Sequence, residues 1–338
     1  MPSLSPRIDA IQSYRNLLIN SAMDFNQRFG SGNATITSGQ AYVVDRWNFR
    51  AGGGGQNYTV STSSIVPTNG PFKYSVRMLR NGGSNIAMTQ PIEAVDIRPY
   101  IGRTMTFSFW VNYSGGSITA SLYTPVSGVE DTWQSIIILN DTLYATSVLS
   151  SGVTNQWIQL SYTFVVPATA VNGLAVSVQP SSNTGADTIN VTGCMLTEGN
   201  FVPPYFYRQG NGGVADDFQK CLRYCWVDGA FDAGNGVQHI FAVGKAYATT
   251  NGTVFRDFPV HMRIAPSATL TEAFSSYQMI NAVDSANPVA TGVSFQFIST
   301  KGVNITPTVA SGLVAGDGTF FTRANGNTTS KIIYSAEL

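Results

Sequence analysis

From residue 16 to about residue 200, apolar residues recur at every second position in short runs separated by Gly, Asn and Ser clusters. Tyr74, Val76 and Met78 alternate with Ser75 and Arg77, and Met105, Phe107, Phe109 and Val111 with Thr106, Ser108 and Trp110. Ile158, Leu160, Tyr162, Phe164 and Val166 alternate with Gln159, Ser161 and Thr163, and Leu174, Val176 and Val178 form a shorter run. A period of two with one apolar face is the pattern of a half-buried strand. Many short strands between turn signals predict two antiparallel sheets packed face to face, here a jelly-roll β-sandwich over 16–200. The segment 201–213 is rich in Pro and Gly and predicts a break. Apolar positions 214, 218, 221, 222 and 225 then follow helical spacing, with Asp216 and Asp217 near the start where the helix dipole favours acids. Linker and short helix together span 201–226. Residues 227–338 return to strand patterns at 239–244, 253–260 and 293–298, predicting a second, smaller β-sandwich domain. The fold class expected is therefore mainly β. Residues 1–15 read as an arm, because Pro2 and Pro6 forbid an early helix.

Composition narrows the function. Charged residues make up 11% of the 338, well below the globular average of roughly 25%, so Ser, Thr, Asn, Gln and Gly must cover the surface. Lys+Arg and Asp+Glu both number 19, and this balance argues against a nucleic-acid partner, which needs a cationic stripe to displace counterions. No apolar run is long enough to cross a membrane as a helix, so no membrane insertion is expected. The N-terminus lacks the apolar centre of a secretory signal. A low-charge surface of extracellular character without an export signal fits a virion component made in the host cytoplasm.

The sequence offers little for catalysis. Cys194, Cys221 and Cys225 are too few for a disulfide framework; they read as reduced, buried residues, the last two on one helical face. The two histidines, His239 and His261, lack partners at metal-ligand or triad spacing and read as structural. Gly52–Gly55 is followed by no Lys-Ser/Thr and no helix, so it is a loop and not a phosphate cradle. Glycoside hydrolysis needs two acids flanking the bond, but Glu130–Asp131 suits a turn cap and Asp216–Asp217 a helix start. No cofactor or metal is expected.

Binding is the better expectation. Sugar rings stack on exposed aromatics while amides hold their hydroxyls, the apolar wall and polar anchors common to ligand sites. Aromatics on polar strand faces or in loops are the candidates: Trp110, Tyr113, Tyr123, Trp133 and Trp157, with Tyr58 beside them. Trp110 lies opposite Phe107 and Phe109, and Trp157 opposite Ile158 and Leu160, on an outer face or at a subunit contact. Core packing is the competing reading for each of the six. Trp47 reads as core.

Several motifs add a resemblance. Asn16-Leu17-Leu18-Ile19-Asn20 leads into Asp24-Phe25-Asn26-Gln27-Arg28, and Asp45-Arg46-Trp47 follows; Thr106–Val111 and Trp157–Phe164 supply later strands. Together these resemble, in order, the carbohydrate-binding-type β-sandwich modules of tail fibres and other structural proteins of tailed bacteriophages. Met195–Gly199 with Pro203–Arg208 resembles their closing strand, Cys221–Tyr224 the helix that follows, and Phe258–Pro266 an element of the C-terminal domain. Asp24-Phe25-Asn26 has one acid where calcium-holding relatives often carry two. The resemblance implies a non-enzymatic virion protein, a fibre-like adhesin attaching to a host-surface glycan. A capsid decoration or head-fibre protein is the alternative, and a polysaccharide depolymerase a second one. It also implies a homotrimer, with 201–226 near the three-fold axis and the arm 1–15 holding other virion proteins.

Overall fold

The computed structural model describes residues 15–37, 39–51, 58–81, 86–115, 117–125, 128–133, 142–150, 154–180, 186–205, 213–230, 239–283, 286–324 and 326–338. The arm expected over 1–15 lies outside these except for Arg15, as do Gly52–Gly55 and linker residues 206–212. The chain divides into two compact units, Met1–Phe218 with Leu338, and Gln219–Glu337.

The first unit holds strands Asn33–Ile36 (β1), Gly39–Val44 (β2), Trp47–Ala51 (β3), Tyr58–Ser63 (β4), Ser75–Asn81 (β5) and Ile86–Ile92 (β6). Thr104–Tyr113 (β7), Ser117–Thr124 (β8), Thr142–Ser150 (β9), Trp157–Val165 (β10), Leu174–Pro180 (β11) and Ala186–Glu198 (β12) complete it. They form two six-stranded antiparallel sheets, β1-β4-β5-β12-β7-β10 and β2-β3-β6-β11-β8-β9. The chain crosses repeatedly from one sheet to the other, as in a jelly roll. One core draws on both: Phe107, Phe109, Val111, Ile189 and Val60 from the first sheet meet Phe49, Met88, Val176 and Leu122 from the second.

The segment 16–27 joins neither sheet, so its backbone groups need other partners. Asn16 accepts from Leu18 N (3.0 Å) and Leu196 N (3.0 Å) and donates to Cys194 O (3.2 Å). Gln90 acts as a substitute strand for Ile19, accepting from its N–H and donating to its carbonyl, both at 2.8 Å. Asn20, in a left-handed conformation (φ 52°), donates to Phe25 O (2.8 Å) and Asp45 O (2.9 Å) and accepts from Phe25 N (3.1 Å). Its carbonyl receives the Trp47 indole N–H (3.0 Å), and its N–H donates to Asp217 Oδ2 (2.9 Å). Asp45 in turn accepts from Gln27 Nε2 at 2.8 Å. The motif residues Asn20, Gln27, Asp45 and Trp47 thus form one hydrogen-bonded clasp, Asn16 ties the start of the segment to β12, and Trp47 is core as expected.

The second unit contains Cys225–Asp228 (β13), Ile240–Ala246 (β14), Gly252–Asp257 (β15), Ser267–Leu270 (β16), Tyr277–Asn281 (β17), Ala290–Gln296 (β18), Gly302–Val309 (β19), Gly318–Arg323 (β20) and Ile332–Ser335 (β21). A six-stranded sheet β17-β20-β14-β15-β19-β18 and a three-stranded sheet β13-β21-β16 share a core of Phe241, Val254, Met279, Ile305, Phe321 and Tyr334. This is the smaller sandwich that the patterning predicts.

Two local expectations are corrected. The helix runs over Gly213–Leu222 and stops short of residue 226. Tyr224 N turns back onto Cys221 O (3.0 Å), and Cys225–Asp228 pairs with β21, where Trp226 stacks on Tyr334 at 5.3 Å. Sheet pairing and ring stacking outweigh the helical spacing of Cys225, which therefore does not share a helix face with Cys221. Likewise β15 ends at Asp257, ahead of Phe258-Pro259-Val260, because Pro259 has no N–H to give a ladder.

Replacing Asn20 by Ala strips three side-chain bonds and removes these partners from Asp45 O and the Phe25 N–H, while Phe25 O keeps the Asp45 N–H at 3.1 Å. The expected cost is on the order of 3 kcal/mol. Asn20→Gly, which tolerates the positive φ, recovers only the smaller conformational part. Urea denaturation of the two variants beside the parent checks this; a wild-type midpoint for Asn20→Gly would show that the amide contributes nothing.

Candidate functional site

On β7 and β10 the apolar residues face the core and leave Thr106, Ser108, Trp110 and Asn112, with Trp157, Gln159, Ser161 and Thr163, on the outer face of the first sheet. The register aligns Trp157 with Asn112, Asn112 with Asn190, Asn190 with Arg77, Arg77 with Ser61 and Ser61 with Asn33. One row of polar side chains therefore crosses all six strands, with an indole at one end. In the next row Gln159 faces Trp110. Trp110 and Trp157 are thus diagonal neighbours, a spacing of roughly 7–8 Å that aromatic side chains span easily. Both indoles are partly exposed. Three polar atoms on this face, Asn190 Oδ1, Ser108 Oγ and Thr197 Oγ1, are shielded and have no hydrogen-bond partner. Asn190 is 4% exposed and sits between Asn112 and Arg77.

A β-bulge places Trp110. The β12–β7 register shifts between Thr192 and Met195, and Gly193 there has φ 62°. A Cβ on Gly193 would lie 3.0 Å from Trp110 Cδ1 and 2.5 Å from Phe72 Cζ. Phe72 packs edge-on against Tyr205 at 4.7 Å, and the Tyr205 hydroxyl bonds Ser21 Oγ at 2.8 Å. One side of Trp110 is therefore backed by the glycine and Phe72.

The outer face of the second sheet differs. Tyr42, Asn48, Thr89, Ser177, Ser121 and Thr146 form a row across its six strands. Thr89 donates to Ser177 Oγ (3.0 Å), and Ser121 and Thr146 share a bond of 3.1 Å. Trp133 packs here against Ala87, Tyr123 and Ala175. Asn48 is fully buried with both amide atoms unpartnered, as are Trp133 Nε1 and Gln179 Oε1.

Three candidate aromatics are corrected. Tyr113 is 3% exposed and lies on the core side of β7, donating its hydroxyl to Asp187 Oδ2 at 2.8 Å. Burial, and then Asp187, push its phenol up to about 12. Asp187 also accepts from the fully buried Arg80 (Nε–Oδ1 2.9 Å). Tyr123 is 5% exposed and lies in the small cluster against which Trp133 packs; burial raises its pKa. Tyr58 is wholly in the core. Alternation puts Tyr123 on an outer face, but that part of the face is covered. The structure brings Trp110 and Trp157 together, sets Trp133 on the opposite sheet, and adds Asn112, Asn190 and Gln159, whose signal was their register with the indoles.

The acids screened for catalysis have structural partners. Arg98 donates to Glu130 at 2.6 Å, and Asp131 Oδ1 accepts from Ala94 N (2.7 Å) at the start of the short helix Ala94–Ile97. His239 Nε2 bonds Asp228 Oδ1 at 2.8 Å, beside Arg256, in keeping with a structural role, whereas His261 is exposed. Among the described residues no three His, Cys, Asp or Glu side chains group as a metal site, the three cysteines are buried, and no helix is long and apolar enough to cross a membrane.

No family model matches the chain, and comparison with curated proteins finds no match. Among solved structures, the enzymatically active domain of bacteriophage CBA120 tailspike protein 4 is 18% identical, with a TM-score of 0.36 over 55% of this chain and 22% of that one. The present chain thus spans less than a quarter of that domain. A family 11 carbohydrate-binding module from a Clostridium thermocellum cellulosomal cellulase is 11% identical (TM-score 0.32; 48% of this chain, 96% of the module). A xylan-binding domain of a Paenibacillus barcinonensis protein is 18% identical (TM-score 0.30; 46% of this chain, 93% of the domain).

Gly193→Ala is expected to cost about 2 kcal/mol, combining the left-handed backbone with the Phe72 contact, and to move Trp110. Tryptophan fluorescence alongside thermal unfolding checks both, and an unchanged spectrum would count against the backing role. The folded value of Tyr113 lies above the unfolded value of 10, so its contribution to stability is whole below about pH 10 and is lost as pH rises towards about 12. Tyr113→Phe should flatten that part of the stability–pH curve, measured as the urea midpoint across the interval.

Proposed function

We propose that this chain is a non-enzymatic glycan-binding protein of a tailed-bacteriophage particle, contacting host-surface sugars through the outer face of its first sheet. The observation that carries the reading is the diagonal pair Trp110 and Trp157, partly open to solvent, beside a row of amides in which Asn190 Oδ1 is shielded and unpartnered. An indole offers a flat apolar surface to the C–H face of a sugar ring. Asn112, Gln159 and Asn190 supply both donors and acceptors, which match hydroxyl groups. Arg77 is the formal charge in the six-strand row, so recognition of neutral sugars would depend little on ionic strength. The phage assignment rests on the ordered motifs from Asn16 to Arg208 and on the clasp that they build. Binding without turnover is supported by the structural bonds of Glu130, Asp131 and Asp217.

The test is binding of the whole chain to host polysaccharide by calorimetry, with Trp110→Ala, Trp157→Ala and the double variant. Each single change is expected to weaken binding on the order of tenfold, about 1.4 kcal/mol, with unfolding temperature little altered for the half-open Trp157. The affinity should hold between low and moderate salt. Full binding by the double variant would reject this face as the site, and new reducing ends appearing in the polysaccharide would reject the non-enzymatic reading.

A further inference from the structure

The six-stranded sheet of the second unit carries an apolar band on its solvent face. The register aligns Gln296, Asn304, Phe255, Val243, Phe320 and Ile280 in one row across β18, β19, β15, β14, β20 and β17. Phe255 is 63% exposed and Val243 53%, and Phe320 and Ile280 beside them are partly exposed. Four apolar residues on adjacent strands form a contiguous patch, unlike the scattered exposed apolar residues of ordinary surfaces.

Charges flank this band with opposite sign on its two sides. Lys245 lies two residues beyond Val243 on β14, and Asp257 two residues beyond Phe255 on β15. The strands are antiparallel with Val243 opposite Phe255, so Lys245 and Asp257 fall on opposite sides of the row. Both are exposed, and neither makes an ion pair or side-chain hydrogen bond among the described residues. A two-fold axis lying along the row would turn one copy of the face onto another. It would set apolar row on apolar row, and each Lys245 over the Asp257 of the other copy, on strands about 4.8 Å apart.

We propose that this face docks a second copy of the chain about such a two-fold axis. The patch is self-complementary in charge, and pairing covers Phe255 and Val243 without burying an unmatched charge. The inference is independent of the glycan face, which lies in the other unit.

The test is the solution mass of the full chain by sedimentation and light scattering from about 1 to 100 μM. The expected state is even-numbered: a dimer, or a hexamer where the two-fold combines with the three-fold that the motif resemblance implies. Phe255→Glu, at an exposed position, should raise the dissociation constant at least about a hundredfold while leaving the circular dichroism unchanged. Lys245→Asp or Asp257→Lys alone places like charges together twice and should weaken association on the order of tenfold. The double swap, Lys245→Asp with Asp257→Lys, should restore it to within a few-fold of the parent. A monomer throughout this range, a trimer, or a double swap no tighter than either single variant would overturn the proposal. Trp110→Ala and Trp157→Ala should leave the mass unchanged, so failure of glycan binding and failure of pairing read out separately.

Discussion

The first unit depends on satisfying the backbone of a segment that belongs to no sheet. Residues 16–27 are largely buried, so every N–H and carbonyl there must find a partner. Asn16 and Asn20 supply those partners from side chains within the segment, and Gln90 and Asp45 from outside it. Asn20 is suited twice over. Its amide both donates and accepts, and asparagine tolerates the left-handed backbone better than most residues. Its carbonyl also fixes the Trp47 indole, so the largest fully buried side chain of the sandwich is oriented by the same residue.

The two outer faces of this sandwich follow one alternation rule but end differently. On the first sheet, Trp110 and Trp157 stay partly open because the bulge at Gly193 and the Phe72–Tyr205 contact back only one side of Trp110. On the second, Trp133 lies against Ala87, Tyr123 and Ala175, and the polar row under that face is shielded. A period of two reports which side of a sheet a residue occupies. It carries no information about what a distant loop later covers.

The small complement of charged residues is partly spent inside. Arg80 is buried against Asp187, and the buried Arg323 donates to the carbonyls of Ser330 (2.7 Å) and Gly229 (2.8 Å). Arg256 rests over the Trp226 ring at 4.9 Å while bonding Asp228, which His239 also meets. With these charges withdrawn, the outer surfaces are dominated by hydroxyls, amides and apolar patches. Lys245 and Asp257, which flank the apolar band of the second unit, keep their side chains without a partner among the described residues. Buried ion pairs of this kind add little net stability, since desolvation offsets attraction, but removing one partner is costly, which holds the register of β5 on β12.

The sequence by itself determined the strand content, the inward faces of β5, β7, β10 and β11, and the core place of Trp47. Period-two patterning is a local property, and burial of one face is its direct consequence. It also marked Asn16, Asn20, Asp45 and Trp47, although only as a motif. That Asn20 bonds Asp45 and Trp47, and that Asn16 bonds β12, was decided by the tertiary structure. The same holds for the end of the helix at Leu222, where pairing with β21 overrides the spacing of Cys225. It holds for Tyr113 and Tyr123, whose exposure was set by Asp187 and by the Trp133 packing. The amide row and the Phe255–Val243 band were likewise illegible, because cross-strand register brings together residues from strands far apart in the chain. No local pattern encodes that register; it is fixed when the two faces of each sheet choose between core and solvent together.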